Sequence, residues 1–242
     1  MISKTRCPKC KAMGKDTHED NLVTYTDGHV YCFSCGYYSS SIYKRNNEQS
    51  LWKGYPTLPK DTVGEIDALG LSWLAKYGIV RDELTKFDIR WSPSKKWLIF
   101  PVYSGTDILL MYQAKTFEGP AKYLTFGSPE SIINILAQKE RDKNLVLVED
   151  MLSAIKVSRQ TSSMPLWGSS IGPGKFGRLQ FSRSDNLIFW LDHDKRKESL
   201  ILATRSRQYG FTSSVLVTEK DPKEYNDKEI AEFLSSCFTG WV

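Results

Sequence analysis

Leu145-Val146-Leu147-Val148 is a wholly apolar run that ends in Glu149, and Leu187-Ile188-Phe189-Trp190-Leu191 is a second run that ends in Asp192-His193-Asp194. Short apolar runs without alternating polar residues are typical of strands that are buried on both faces of a sheet. Three carboxylates therefore follow two buried strands. Carboxylates at the strand ends of an open α/β sheet are hard oxygen ligands for Mg²⁺, and proteins use Mg²⁺ held in this way to bind phosphates.

The chain from Leu145 onward alternates between predicted strands and predicted helices. This alternation favours a largely parallel sheet covered by helices on both faces, so we expect residues 143–242 to form a Rossmann-like α/β subdomain. The predicted strands are Leu145–Val148, Pro165–Trp167, Leu187–Leu191 and Ser213–Val217, and the predicted helices are Met151–Arg159, Lys195–Tyr209 and Asp227–Ser236.

Residues 60–142 have the pattern of a smaller mixed α/β subdomain. Apolar residues at helical spacing predict a helix over Ser72–Lys86. Strand-like runs follow at Trp97–Tyr103, Ile108–Thr116 and Tyr123–Phe126. Residues 41–59 are polar, charged and contain proline, so we expect a linker there.

Residues 1–40 contain two CxxC pairs, Cys7-x2-Cys10 and Cys32-x2-Cys35. Each pair makes a tight turn that aims both sulfurs at one point, and four thiolates form the tetrahedral set that structural Zn²⁺ favours. Asp27-Gly28, between the predicted arms Leu22–Thr26 and His29–Phe33, predicts a hairpin that completes a zinc ribbon. The alternative is two disulfides, but the chain starts without the apolar core of a signal peptide, so we expect a reducing cytoplasm, which favours zinc.

The composition is that of a globular protein without a membrane segment. Of the 242 residues, 40% are hydrophobic and 25% are charged. No apolar run reaches the roughly 18 residues that a membrane-spanning helix needs. The net charge of +5 is compatible with a polyanionic partner, but it is too small to demonstrate one.

Three stretches, taken together with the strand-end acids, carry a family resemblance. A four-cysteine ribbon, a small mixed subdomain and a sheet with a strand-end Glu followed by Asp-x-Asp resemble, in this order, the bacterial and phage-type DNA primases, whose catalytic core has the TOPRIM fold. The chain is most similar to the primase half of the primase-helicases of short-tailed phages. The three stretches are Asp27–Cys35, Tyr112-Gln113-Ala114-Lys115 with Lys122-Tyr123-Leu124, and Leu191-Asp192-His193-Asp194.

The resemblance implies a DNA primase, an enzyme that makes short RNA primers on single-stranded DNA from ribonucleoside triphosphates. It implies that Glu149, Asp192 and Asp194 are catalytic and that they bind Mg²⁺ or Mn²⁺ together with Asp221, with Glu149 acting as a ligand or as a general base. Taken alone, Asp221 is also compatible with a loop carboxylate or a helix N-cap. On a regular strand, Asp192 and Asp194 would point to the same face and share a cation.

One position departs from the family pattern. The first acidic motif of the family continues from its Glu to an Asp four residues later, where this chain has Ser153. We expect that Asp150 points elsewhere and does not replace this acid.

The resemblance also assigns residues to nucleic-acid contacts. Lys115 and Lys122 match basic residues near nucleotide or template phosphates, and Asp27 and His29 match ribbon residues that read the template. The structural alternatives stay open, since exposed strand lysines are common and Asp27 suits a turn. The stretch Gly168–Gly174 is compatible with a phosphate-binding loop and with an ordinary turn.

Two other functions remain alternatives. A TOPRIM-type metal-dependent nuclease would use the same acids to cleave phosphodiesters, and a non-catalytic zinc-ribbon protein would bind DNA or load a helicase. Ser153, in place of an acid, favours the non-catalytic alternative. The sequence has no Gly-x4-Gly-Lys-Ser/Thr motif, so we expect no helicase motor in this sequence. The resemblance to the primase family implies a separate replicative helicase as a partner.

Overall fold

The computed structural model describes residues 3–15, 18, 20–24, 30–39, 55–118, 120–137, 143–182 and 184–239. The chain divides into two compact units, Met1–Gly54 and Tyr55–Val242. The finer boundaries expected from the sequence, at residues 40, 59 and 142, stay predictions.

The first unit contains an antiparallel sheet whose strands follow one another in chain order. The strands are β1 (Ser3–Thr5), β2 (Leu22–Thr24), β3 (Val30–Cys32) and β4 (Tyr38–Ser39), and a short helix, α1 (Pro8–Ala12), follows β1. β2 and β3 form the predicted hairpin, with Leu22 opposite Cys32 and Thr24 opposite Val30. The turn of this hairpin, residues 25–29, lies outside the described residues.

The second unit begins with two short helices and an antiparallel sheet. The helices are α2 (Ala68–Ala75) and α3 (Arg81–Lys86), and the sheet has the order β5 (Arg90–Ser92), β6 (Trp97–Tyr103), β7 (Leu109–Thr116), β8 (Tyr123–Gly127). The prediction of one helix over Ser72–Lys86 is therefore wrong. The chain leaves α2 at Gly78, whose φ of +65° lies in the left-handed region that ends helices.

The rest of the second unit is a parallel sheet with helices. Its strands are β9 (Asn144–Val148), β10 (Ser163–Pro165), β11 (Asn186–Phe189) and β12 (Thr212–Val215), in the spatial order β10-β9-β11-β12. The helices are α4 (Met151–Ser158), α5 (Pro173–Leu179), α6 (Arg196–Gln208) and α7 (Asp227–Thr239). Within the described residues, no helix combines the length and the apolar character needed to cross a membrane. The predicted α/β class with a Rossmann-like sheet is confirmed, whereas α5 was not predicted.

The core of the second unit is continuous across both of its sheets. One cluster of buried side chains joins Phe100 of β6 to Val146 and Val148 of β9. The alternate residues of β9, Leu145 and Leu147, pack in another cluster on the opposite face. β9 is therefore buried on both faces, which explains its unbroken apolar run.

Arg159, directly after α4, ties three segments of the second unit together. Its guanidinium donates two hydrogen bonds to the Glu83 carboxylate of α3, at 2.8 and 2.7 Å, and one to Asp227 at the start of α7, at 2.7 Å. It also donates to the Gly78 carbonyl, at 2.8 Å. The Glu83 side chain is only 12% exposed, so this charged pair is largely removed from water. The contact fixes α3 against the helices of the parallel sheet.

Arg159→Ala should lower the free energy of unfolding by about 2–3 kcal/mol, because it leaves the mostly buried Glu83 carboxylate without its positively charged partner. Differential scanning calorimetry should show a midpoint several degrees below that of the wild type. The matched control is Arg205→Ala, which removes an exposed arginine of α6 and should shift the midpoint by no more than about 1–2 °C. Equal midpoints for Arg159→Ala and the wild type would contradict a stabilising role for this contact.

Candidate active site and metal centres

The four cysteine sulfurs of the ribbon meet at one point. Cys7 directly precedes α1 and Cys10 lies within it, whereas Cys32 ends β3 and Cys35 lies in the turn that follows. The Sγ atoms of Cys7 and Cys35 are 3.6 Å apart, as are those of Cys10 and Cys32, and all four lie within 4.8 Å of one another. Four Zn–S bonds of about 2.3 Å in a tetrahedron require S–S separations of about 3.8 Å. The sulfurs therefore fit a zinc ion.

The same distances exclude the disulfide alternative. A disulfide requires an S–S distance of about 2.05 Å, and all five cysteines, each within the described part of the chain, are free. Burial raises the pKa of Cys10 to about 12, so a thiolate at this position needs a cation beside it. The buried residues around the cysteines include only Leu22 and Val30 in the described part of the ribbon. A bound metal would therefore supply much of the stability of this unit.

The strand order of the parallel sheet brings two acids to a point where ligands bind in this class of fold. The chain runs from β9 outward to β10, then returns to β11 on the other side of β9 and continues to β12. In open α/β sheets, the crevice at such a reversal lies at the carboxyl ends of the two central strands. Glu149 directly follows β9, and Asp192 lies three residues after the end of β11. Glu149 and Asp192 therefore lie at this reversal of strand order, which we call the switch point.

Each of these two acids has a buried oxygen without a hydrogen-bond partner among the described residues, Oε2 of Glu149 and Oδ1 of Asp192. Burial, reinforced by the charge of Asp150, raises the pKa of Glu149. Burial also raises the pKa of Asp192 to about 7, although the Lys223 ammonium opposes this shift. Buried carboxylate oxygens without donors are costly, and a hard divalent cation removes that cost. The pair fits Mg²⁺, which commonly takes one or two carboxylates and completes its shell with water and phosphate oxygens.

A buried lysine lies among the acids. Lys223 belongs to the short 3-10 turn Pro222–Glu224 that follows β12. Its Nζ lies 2.7 Å from Asp150 Oδ2, 3.1 Å from Asp221 Oδ2 and 3.3 Å from Asp192 Oδ2, and its side chain is 11% exposed. Burial disfavours the charged form of Lys223, but the three carboxylates outweigh burial and raise its pKa. The ammonium is therefore charged. It neutralises one side of the group formed by Glu149, Asp150, Asp192 and Asp221, which we call the acid cluster.

Asp150 belongs to this cluster, and the expectation that its side chain points elsewhere is wrong. Its Oδ1 accepts a 2.9 Å hydrogen bond from the Ser153 amide in the first turn of α4, and its Oδ2 accepts one from Lys223. The N-cap position turns the side chain back over the start of the helix and toward the sheet edge. Ser153 is fully buried, and its hydroxyl has no partner in the described part of the structure.

Asp221 is held from two sides. Its Oδ1 accepts a 3.2 Å hydrogen bond from the His193 amide and lies 3.0 Å from His193 Nδ1, and its Oδ2 contacts Lys223. Burial opposes ionisation of Asp221, but His193 and Lys223 outweigh burial and lower its pKa to about 2. Both oxygens of Asp221 therefore have partners, and the carboxylate holds the turns after β11 and β12 together.

Asp194 does not share the environment of Asp192, contrary to the expectation from strand alternation. β11 ends at Phe189, and a 3-10 turn, His193–Lys195, follows Asp192, so the two-residue repeat of a strand no longer applies. The Asp194 side chain is 58% exposed, and its Oδ2 lies 2.7 Å from the Nζ of Lys195. Its charge still contributes to the raised pKa of Glu149. Asp194 therefore lies on the solvent side of the acid cluster.

Lys115 and Lys122 lie near each other on the antiparallel sheet, among aromatic rings. The Nζ of Lys115 is 4.8 Å from the ring centroid of Phe117 and 5.8 Å from those of Trp73 and Tyr123. The Nζ of Lys122 is 5.9 Å from the centroid of Tyr123. Burial, together with the charge of Lys122, lowers the pKa of Lys115. Cation–π contacts of this kind hold both ammonium groups on one surface, which we call the basic surface.

Two tyrosines connect the basic surface to the acid cluster. Burial raises the pKa of Tyr123, and the charges of Asp150 and Lys223 also act on this hydroxyl. Burial likewise raises the pKa of Tyr77, which the same two charges influence. Charges that act on a hydroxyl group in this way lie near it. The basic surface and the acid cluster therefore border the same region of the second unit.

The remaining candidates from the sequence receive no structural support as ligand sites. The Gly172 amide donates a 2.8 Å hydrogen bond to Glu130, and Pro173 and Gly174 belong to α5, so the stretch Gly168–Gly174 is not an open cradle of amides. Asp27 and His29 lie outside the described residues, and their role in reading the template stays a prediction.

Sequence reasoning missed Lys223 and the contribution of Asp150. A lysine two residues after Asp221 in a polar turn resembles an ordinary surface residue. Its partners follow three different strands, so only the pairing of β9, β11 and β12 reveals the cluster.

Comparisons with known proteins give matches among solved structures alone. No protein-family model and no curated protein matches the sequence. The primase fragment of the bacteriophage T7 primase-helicase protein aligns with a TM-score of 0.55 at 14% identity, over 97% of this chain and 98% of that chain. The zinc-binding and RNA polymerase domains of Aquifex aeolicus primase align with a TM-score of 0.58 at 13% identity, over 96% of this chain and 78% of that chain. The E. coli primase catalytic core aligns with a TM-score of 0.55 at 14% identity, over 70% of this chain and 72% of that chain.

Identities this low establish a common architecture. The predicted resemblance to primases is confirmed at that level: the chain has the fold of primase zinc-binding and RNA polymerase domains.

Proposed function

We propose that this protein is a DNA primase, a template-directed RNA polymerase that synthesises short RNA primers on single-stranded DNA. The proposal is carried by the two buried carboxylate oxygens of Glu149 and Asp192, which lack partners among the described residues and lie at the switch point. Lys115 and Lys122 border the same region. Nucleotide transfer from a triphosphate needs both a metal-binding edge and a surface that binds phosphates.

In this proposal, carboxylates of the acid cluster, together with Asp194, bind the catalytic metal ion. Glu149 and Asp192 would bind Mg²⁺ or Mn²⁺, with Asp194 as a further ligand on the solvent side and Asp221 as a ligand or as a support of the loop. The bound ion would neutralise the triphosphate and favour attack of a 3′-hydroxyl on the α-phosphate, with pyrophosphate as the leaving group. The raised pKa of Glu149 also suits a general base.

The basic surface and the ribbon would position the nucleic acid. Lys115 and Lys122 would bind phosphates of the nucleotide or of the template, with their ammonium groups held by aromatic rings. The zinc ribbon would select the start site, with Asp27 and His29 reading template bases. Phe33 on the ribbon is exposed and makes an edge contact with Tyr31 at 5.0 Å, and such aromatic surfaces stack on single-stranded bases.

The proposed substrates are ribonucleoside triphosphates and a single-stranded DNA template, and the proposed setting is the cytoplasm. The name of the T7 protein joins primase and helicase, which supports a replicative helicase as the partner of this chain.

A non-catalytic zinc-ribbon DNA-binding protein is the second candidate. Ser153 stands where the family has an acid, and the Lys223 ammonium lies among three carboxylates. Both features reduce the negative charge that is available to hold a catalytic metal.

One experiment separates the primase from the nuclease and from the non-catalytic protein. The full chain is incubated with labelled ribonucleoside triphosphates, Mg²⁺ and a panel of single-stranded templates that differ in one trinucleotide. A primase produces short labelled RNA on some templates, a nuclease shortens an end-labelled template, and a non-catalytic protein binds the template unchanged. Lack of labelled RNA on every template of a complete trinucleotide panel would contradict the proposal.

Cys32→Ser should remove bound zinc and unfold the ribbon, since three thiolates no longer close the tetrahedron, while the second unit stays folded. Elemental analysis should find about one zinc per wild-type chain. Cys237→Ser is the matched control, because Cys237 lies in α7, and it should retain the metal. Wild-type protein that contains no zinc after purification without chelators would refute the assignment.

Asp192→Asn should reduce primer synthesis by about a hundredfold or more, because it removes a charged ligand at the switch point. Glu149→Gln should have a comparable effect. Binding to single-stranded DNA, measured by fluorescence anisotropy, should not change, because it depends on lysines and the ribbon. The matched control is Asp185→Asn, which changes an exposed acid just before β11. Near-normal synthesis by Asp192→Asn would show that the acid site is misassigned.

The affinity for divalent ions should fall as the pH is lowered through about 7. The pKa of Asp192 is raised to about 7, and a proton competes with the cation for this carboxylate below that pH. The apparent affinity should drop about tenfold per pH unit below the pKa and level off above it. Titration with Mn²⁺ at several pH values measures this dependence. Asp185→Asn, which changes an exposed acid outside the proposed metal site, should keep the profile, and an affinity that is independent of pH would contradict the prediction.

A further inference from the structure

The acid cluster has two sides with different contacts. On one side, Asp150 Oδ2, Asp221 Oδ2 and Asp192 Oδ2 lie 2.7, 3.1 and 3.3 Å from the Nζ of Lys223. On the other side, Oδ1 of Asp192 and Oε2 of Glu149 are buried without a partner in the described part of the chain. Asp192 belongs to both sides through its two oxygens.

The ammonium of Lys223 contacts three carboxylates at once. It donates hydrogen bonds to Asp150 Oδ2 and Asp192 Oδ2, and it forms an ion pair with Asp221 Oδ2. The carboxylates come from the start of α4, the loop after β11 and the turn after β12. Three carboxylates from separate segments therefore surround one cation, which here is the ammonium group.

The position of the ammonium is fixed by its own turn. Lys223 lies between Asp221 and Glu224, which are joined by two hydrogen bonds. The Glu224 amide donates to the Asp221 carbonyl at 2.9 Å, and the Asp221 amide donates to the side-chain Oε2 of Glu224 at 3.1 Å. Pro222 restricts the backbone of the same turn. Because the side chain is 11% exposed, water cannot readily replace the carboxylates as its partners.

We propose that Lys223 is a built-in cation that replaces a second metal ion, so that this site binds a single divalent ion, at Glu149 and Asp192. The inference rests on the proposed function in taking these two acids as the metal ligands. Lys223 is a positioning residue: it holds Oδ2 of Asp192 and leaves Oδ1 directed to the metal. A second divalent ion among Asp150, Asp192 and Asp221 is excluded by repulsion from the ammonium and by the loss of its two hydrogen bonds and its ion pair with Asp221.

The test counts metal ions on the full, zinc-loaded chain without nucleotide. Mn²⁺ is added at about pH 8, above the range in which protons compete, and free Mn²⁺ is measured by electron paramagnetic resonance. The wild type should bind one Mn²⁺ per chain, and Lys223→Met should bind two, because the three carboxylates then lack a cation. Lys223→Arg keeps the charge and should bind one.

The matched control is Lys228→Met, which removes the same charge from an α7 side chain that is 87% exposed, and it should bind one Mn²⁺. Asp192→Asn should lose the ion that the wild type binds. An unchanged stoichiometry in folded Lys223→Met, or two Mn²⁺ per wild-type chain, would overturn the role of Lys223.

Thermal melting provides a second test of the role of Lys223, beside the number of bound Mn²⁺ ions. In metal-free buffer, Lys223→Met should melt about 5–10 °C below the wild type, because three carboxylates lose their counterion. Mg²⁺ should then raise its midpoint more than it raises that of the wild type. If Lys223→Met does not fold, the double variant Asp150→Asn/Lys223→Met removes one charge of each sign and should still bind a second Mn²⁺, through Asp192 and Asp221. A double variant that binds only one ion would overturn the inference.

Failure of the inference and failure of the proposed function are distinguishable. Two Mn²⁺ per wild-type chain, with primer synthesis intact, would overturn the inference and leave the primase proposal standing. One Mn²⁺ in the wild type and two in Lys223→Met, without primer synthesis on any template, would support the role of Lys223 and overturn the primase proposal.

Discussion

The parallel pairing of β9 with β11 is the constraint on which the rest of the second unit depends. Leu145 lies opposite Leu187 and Leu147 lies opposite Phe189, and all four side chains are fully buried. A shift of one residue would move every side chain of a strand to the other face, so burial on both faces specifies the register strongly. This register brings Glu149 and Asp192, which are distant in sequence, to neighbouring strand ends.

The carboxylates at the edge of the parallel sheet repel one another, and neighbouring positive charges compensate only some of them. Like charges and burial disfavour ionised carboxylates, as the raised pKa of Asp192 indicates. Lys223 and His193 compensate the outer acids, and the low pKa of Asp221 is the result. The inner oxygens of Glu149 and Asp192 receive no such compensation among the described residues. Uncompensated buried groups of this kind are frequent at functional sites, because the missing partner is a ligand.

The two units are stabilised by different means. The second unit has a continuous apolar core that spans both of its sheets and is reinforced by Arg159. The strands of the first unit are two or three residues long and bury little besides the cysteines. Small units of this size cannot bury enough apolar surface to offset the loss of chain entropy, so a bound metal would supply the difference. The four cysteines can be recognised from sequence because the spacing of two CxxC pairs is a local property.

Features that depend on neighbouring residues along the chain can be derived from the sequence alone. The apolar runs at Leu145 and Leu187 predicted the buried strands, and the alternation of strands and helices predicted the parallel sheet. The prediction of one helix over Ser72–Lys86 is wrong because apolar residues at helical spacing lie on both sides of Gly78, and that spacing does not reveal the left-handed turn at this glycine.

The differences between the acids arise from contacts between segments that are remote in sequence. Asp192 and Asp194 look equivalent in sequence, yet the 3-10 turn after β11 leaves one partly buried and the other exposed. Asp150 and Lys223 are 73 residues apart, and neither is distinctive in its local context. Their contact arises from the pairing of strands that are remote in sequence. Burial and the nearest opposite charge, which set the ionisation of each acid, are properties of that packing and not of the local sequence.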